Sequence, residues 1–231
     1  MNRPVAKAKP KTSTKPKAAS STPHSSVNPN KISSQRYDRL PLAGGMGQKA
    51  QGKTAFATWY SNGSFPCQLM TGTAKMSLRW KQEFELMDYS TLLPIAIEGL
   101  MEAAHPYISV SQLACRDMLE APVAAELVPP ILPTIAQKLR EVLVASARIS
   151  VESFSAVLDN VERISVLCGE QFTPLIQPLL VPIGSMLMKR TGRDPKIDIQ
   201  SQCMNTLQVL DENGGPQAYE IIHKKIPTYQ R

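Results

Sequence analysis

Apolar residues stand singly through residues 1–53, alternate with period two between Cys67 and Lys81, and recur at helical spacing from Asp88 onward. The alternating stretch, Cys67-Gln68-Leu69-Met70, then Thr71-Gly72-Thr73-Ala74, then Met76 to Lys81, predicts a short β-hairpin around a turn. Ahead of it, Ala55–Tyr60 forms barely two helical turns before Ser61-Asn62-Gly63 stops it. In the helical part, Leu92, Leu93, Ile95, Ala96, Ile97, Leu100, Met101 and Ala104 are apolar through most of a turn, with Glu98 and Glu102 as an i, i+4 polar edge. Pro106 breaks that helix, and a second follows to Glu120. A third starts near Val128-Pro129-Pro130 and runs through Leu143; a fourth is capped by Ser150 and ended by Gly169. A fifth spans 172–190, its basic end suiting the helix dipole. A sixth runs from about Ile197 to Leu210 and stops at Asn213-Gly214-Gly215; a short seventh begins at Pro216.

The spacing of these helices carries a second message. Pro94 and Pro133 are 39 residues apart, and Pro133 and Pro174 are 41 apart, each expected in the first turns of alternate helices. A period near forty with two helices per unit points to HEAT- or armadillo-like repeats, whose helix pairs bury their apolar faces only by stacking. The expected fold is all-α: a solenoid of about three helix pairs over 88–231, a short helix and hairpin over 54–87 covering its open end, and an arm over 1–53. An irregular helical bundle is the rival architecture.

Charge separates the arm from the rest. The chain has 231 residues and net charge +7. Residues 1–53 hold eleven Lys/Arg against Asp38, a net of +10, whereas 54–231 hold fifteen against eighteen acids, a net of −3. Six prolines and few apolar residues leave the arm unable to offset an ordering cost of roughly 1–2 kcal/mol per residue, so it is expected to be disordered and to seek a polyanion. A solubilising tail is the bland alternative. The start of the chain has no apolar h-region, and no uncharged apolar run is long enough to span a bilayer, which predicts a soluble intracellular protein. Cys67, Cys115, Cys168 and Cys203 have neither zinc-knuckle nor CxxC spacing and read as buried or half-buried thiols in a reducing compartment.

Candidate chemistry is thin. Gly47 to Thr54 matches GxxxxGK[ST], but a proline and two glycines precede it where a buried strand is required, and a stub helix follows. Nucleotide binding is therefore rejected. His24, His105 and His223 lack a second ligand or nucleophile at a useful spacing, so neither a metal nor a catalytic role is expected. Met186 and Met188 read as core filler, the Glu98/Glu102 and Glu83/Glu85 pairs as solvated faces, and Trp59, Trp80 and Tyr60 as either interface anchors or buried cap residues.

Several short motifs in order strengthen one resemblance. Thr54-Ala55-Phe56, Trp59-Tyr60, Gly63-Ser64-Phe65-Pro66, Trp80-Lys81, Leu86-Met87-Asp88-Tyr89 and Leu93-Pro94 come first. Glu98-Gly99-Leu100, Pro106-Tyr107, Asp117-Met118-Leu119-Glu120, Ile131-Leu132-Pro133, Asn213-Gly214-Gly215-Pro216-Gln217-Ala218 and Ile226-Pro227-Thr228-Tyr229 complete the series. Collinear over about 54–231, they resemble the Parkin co-regulated protein family; the arm and Ala121–Glu126 depart from it. The resemblance implies a HEAT-like, non-enzymatic structural protein of ciliary and flagellar axonemes. Such a protein sits inside doublet microtubules, where it bridges A- and B-tubule protofilaments at the inner junction. It contacts α/β-tubulin and other inner-junction and microtubule inner proteins, with no cofactor, nucleic acid or membrane. Against acidic tubulin, contacts are expected from Lys7, Lys9, Lys11, Lys15 and Lys17 of the arm. Arg79, Trp80 and Lys81, which join an aromatic anchor to two cations, are expected to add to them. The alternatives are a cytoplasmic HEAT-type adaptor that grips a peptide, or a nucleic-acid-associated protein that uses the basic arm.

Overall fold

A computed structural model describes residues 54–70, 76–189 and 197–231; the predicted arm lies outside the described residues. Helix α1 (Ala55–Ser61) starts at Thr54, whose hydroxyl accepts the Ala57 N–H at 3.2 Å. Strands β1 (Cys67–Met70) and β2 (Ser77–Trp80) pair antiparallel, Cys67 opposite Trp80 and Met70 opposite Ser77. The predicted hairpin is thus present; its turn lies outside the described residues. Next come α2 (Tyr89–Glu98), α3 (Tyr107–Glu120), the single turn α4 (Ala124–Leu127), α5 (Leu132–Ile149), α6 (Val151–Cys168), α7 (Gln177–Met188), α8 (Ile199–Asn213) and α9 (Pro216–Lys225).

Local chemistry sets these boundaries. Ser150 alone separates α5 from α6: it takes an extended conformation and its hydroxyl accepts the Ser153 N–H at 3.0 Å. Gly169 ends α6 at φ +54°, a conformation that costs glycine least. Asp88 and Asp198 cap α2 and α8 through the N–H groups of Ser90 and Ser201.

Each long helix packs on its chain neighbour and on the helix two places along. Helices α2, α5, α7 and α9 form one layer, and α3, α6 and α8 the other, so the pairs α2/α3, α5/α6 and α7/α8 stack in sequence, the arrangement expected of a HEAT-like solenoid. Leu93, Ile97, Met118, Ile135, Leu139, Leu143, Phe154 and Leu158 are fully buried between the layers. Side-chain bonds between successive pairs keep the repeat distance. Arg163 reaches Glu120 and Gln202 reaches Asp159, both 43 residues away; Thr206 reaches Glu162, 44 away; Lys189 reaches the Ala147 carbonyl, 42 away. A buried Leu or Phe contributes about 1.5–3 kcal/mol and a net hydrogen bond only about 0.5–1.5, so apolar burial holds the stack while these bonds fix its register.

Some expectations need correction. Only Pro133 sits in a helical first turn; Pro94 is inside α2, and Pro174 lies in a 3-10 turn before α7. The proline recurrence is instead between Pro94 and Pro182, each the sixth residue of its helix and 88 residues apart, two repeats of 44. Pro174 delays the fifth predicted helix from 172 to Gln177, because it lacks the N–H and falls in a 3-10 turn, whereas Pro178 is tolerated in the first turn of α7. Its expected end, Arg190, lies outside the described residues. Likewise Pro129 and Pro130 form a 3-10 turn rather than the start of α5, and α2 closes as a 3-10 turn at Gly99–Met101 that leaves Ala104 exposed.

Candidate functional site

The cap over the first helix pair is built from side chains that come far apart in sequence. Phe56 and Phe65 are fully buried, their rings edge to face at 5.1 Å. Glu102 is 9% exposed and accepts both the Thr54 N–H (3.0 Å) and the Thr54 hydroxyl (2.6 Å). Glu98, half-buried, accepts the Ala55 N–H at 2.9 Å and lies 3.6 Å from the Lys138 ammonium. The two acids therefore do not form a solvated edge, as their spacing suggested. They satisfy orphan donors at the N-terminus of α1 and favour its dipole. Thr54, the last position of the P-loop-like stretch, is buried at this junction.

Of the candidate contact residues, Lys7, Lys9, Lys11, Lys15 and Lys17 lie outside the described residues. Arg79 and Trp80 sit on opposite faces of β2. The half-buried Trp80 ring packs on Phe84 (5.1 Å) and Phe65 (6.1 Å), and its indole N–H donates to Asp117 at 3.2 Å. That indole is committed to the cap, which leaves Arg79 and Lys81 exposed with no aromatic partner on their side among the described residues. Lys81 reaches the Gly63 carbonyl at 3.3 Å. His105 Nδ1 meets the Ser109 hydroxyl at 2.8 Å, and His223 stacks on Tyr219. Met186 is core, as expected, but Met188 is 68% exposed.

The two layers carry opposite charge. Helices α2, α5, α7 and α9 hold five cations and three acids, +2; α3, α6 and α8 hold two cations and seven acids, −5. Both cations of the acidic layer are paired within it, Arg116 with Asp117 and Arg163 with Glu120. A groove of about 610 Å³ crosses this layer beside Asp159, Glu162 and Arg163. Burial, and then the neighbouring Glu162 charge, raise the Asp159 carboxyl above its ordinary value. On the basic layer, Arg140 and Arg148 are exposed and make no hydrogen bond or ion pair among the described residues. Sequence reading passed over these cations, although Arg140, Val144 and Arg148 recur every four residues along α5.

The far end closes differently. The chain after α9 folds back so that Ile226 and Tyr229 are buried, and the Arg231 guanidinium grips Asp211 with two bonds of 2.8 Å while lying 4.5 Å above the Tyr219 ring. The Tyr229 hydroxyl donates to the same carboxylate at 3.1 Å. Asp211 is thereby held below the ordinary carboxylate range. A groove of about 990 Å³ beside this clamp is lined by residues of α8, the start of α9 and the C-terminal segment.

The four cysteines are buried and unpaired, as predicted. Burial pushes Cys67 and Cys203 up to about 12 and Cys168 up to about 11, and raises Cys115 as well. Among the described residues, no single helix is long and apolar enough to cross a membrane.

This framework of capped, stacked helix pairs coincides with the region that known proteins share. A mouse protein, the Parkin coregulated gene protein homolog, is 26% identical over 204 residues, which cover 82% of this chain and 81% of the mouse protein. The profile of the Parkin co-regulated protein family matches residues 54–231, from the capping threonine of α1 to the arginine of the C-terminal clamp. The chain belongs to the Parkin co-regulated protein family.

Proposed function

We propose that this protein is a non-enzymatic structural component of axonemal doublet microtubules in cilia or flagella. It bridges A- and B-tubule protofilaments at the inner junction through α/β-tubulin and neighbouring junction proteins. The observation that carries this reading is membership of the Parkin co-regulated family over all of 54–231. Two physical features support it. Stacked pairs with a continuous apolar core make a body stiff enough to span neighbouring protofilaments. The +10 charge of 1–53 matches the strongly acidic surface of tubulin, to which the lysines between Lys7 and Lys17 contribute attraction and steering.

Salt extraction of axonemes from a ciliated cell carrying a tagged full-length copy tests the placement. Retention in the doublets is expected; release into a low-salt soluble fraction favours a cytoplasmic adaptor instead. Deleting residues 1–53 should weaken co-sedimentation with microtubules and leave Tm unchanged. Equal co-sedimentation of the two forms removes the role given to the basic segment.

A further inference from the structure

We propose that the outer face of α5 and α7 is the surface by which the folded body docks on the acidic wall of the microtubule. This rests on the microtubule reading above and assigns it to particular side chains. On α5, Arg140, Val144 and Arg148 follow one another at i, i+4 along one exposed stripe. On α7, which packs against α5, Val181 and Met188 project in the same way, and Lys189 follows at the helix end. The Lys189 ammonium reaches across to the Ala147 carbonyl at 3.2 Å, which brings it to the last turn of α5 beside Arg148. Two cations are thus gathered at one helix C-terminus, and neither forms an ion pair among the described residues. The one acid on the exposed side of α5, Glu141, is already held by Lys138 at 2.9 Å.

The apolar members of the patch point the same way. Val144, Val181 and Met188 are 41%, 58% and 68% exposed, so apolar surface is interleaved with the cations on these two adjacent helices. Cations interleaved with exposed aliphatic groups suit an acidic protein surface that also offers apolar contact. The opposite layer does not compete for that role. Its charge is −5 and both its cations are paired within it, so an anionic wall repels it. Charge therefore selects the orientation of the body: α5 and α7 toward tubulin, α3, α6 and α8 away from it.

Co-sedimentation of the full-length protein with microtubules polymerised from purified tubulin tests this. The variants are R140E/R148E/K189E, V181S/M188S and, on the other layer, E152K. All alter exposed side chains, and K189E gives up one exposed hydrogen bond to the Ala147 carbonyl, so Tm should stay within a few degrees of the wild-type value. The triple reversal should weaken binding at least about tenfold and flatten its salt dependence, since exposed charge sets both. V181S/M188S should weaken binding a few-fold with the salt dependence intact, and E152K should leave it unchanged or tighter. Wild-type binding that survives the triple reversal, or that E152K abolishes, overturns the proposal while the microtubule reading stands. Failure of the wild type to bind microtubules at all sinks both. Tubulin-free sedimentation that the triple reversal abolishes, or tighter binding to phosphatidylserine vesicles than to microtubules, replaces tubulin on this face by a second copy or by an anionic membrane.

Discussion

Replacing Gly99 by alanine sets two effects of known sign against each other. Gly99 follows α2 at φ −62° and ψ −17°, an ordinary right-handed conformation, so backbone strain does not demand glycine. On propensity alone, Gly99→Ala should stabilise by up to about 1 kcal/mol. Space decides otherwise. A Cβ there would lie 2.5 Å from Cδ1 and Cγ of Phe56 and 2.9 Å from Cβ of Ser111. Carbon atoms rest about 3.5–4.0 Å apart, so roughly 1 Å of overlap must be relieved. Phe56 is fully buried against Phe65 and cannot simply swing away, and overpacking of this kind costs about 1–3 kcal/mol. The net loss is about 1–2 kcal/mol, a fall in Tm of roughly 2–8 °C for a body of this size. Thermal and urea unfolding of G99A, F56A and the double variant measure it. F56A alone should cost about 3–5 kcal/mol, and adding G99A to it should cost clearly less than G99A does alone, because the clashing ring is gone and only the Ser111 overlap remains. A G99A protein as stable as wild type, or one that loses as much in the F56A background, refutes the close approach of α1 to the end of α2.

Other expected outcomes concern protonation and access. Asp159→Asn keeps an acceptor for the Gln202 amide (2.7 Å) and removes a charge disfavoured by burial and by Glu162. With the folded pKa raised, the penalty of ionisation appears as pH climbs through the ordinary carboxylate range. D159N should therefore match wild type in acid and exceed it at neutral pH by urea unfolding. Asp211→Asn has the opposite sign. The folded carboxyl is lowered by the hydrogen bonds of Arg231 and Tyr229, so its contribution is present above the ordinary range and lost as pH falls through the folded value. D211N should be less stable at neutral pH, with the gap closing in acid. A disulfide-exchange reagent near neutral pH should leave all four thiols unmodified in the native protein and titrate all four after unfolding. Rapid native reaction of any one contradicts the burial that raises them.

What the sequence disclosed was governed by local chemistry. Ser150, Gly169 and Pro216 mark helix ends because a hydroxyl cap, a left-handed glycine and an N-terminal proline act within one turn. The hairpin shows in its alternation, and the stacked pairs in the recurrence of apolar helices, although two of the three prolines used to count the period do not stand in first turns. Features that depend on distant partners were hidden. Glu102 reads as surface until Thr54, 48 residues earlier, is seen to bond to it. Met188 passes for core because its pattern does not tell which side of α7 lacks a neighbour. Trp80 suggests an anchor until Asp117, Phe65 and Phe84 enclose it. The charge division between layers is invisible along the chain, since its positive charge comes only from α5 and α9, which helices of the acidic layer separate in sequence. It emerges only when alternate helices are sorted by stacking.

The most direct test of the account is a cryo-electron microscopy map of doublet microtubules from cells that carry the tagged full-length protein, at a resolution that separates helices. The account predicts the stacked pairs at the inner junction with α5 and α7 against tubulin and α3, α6 and α8 facing away. Absence of the tagged body from the doublet, or contact with the lattice through α3, α6 and α8, would contradict it.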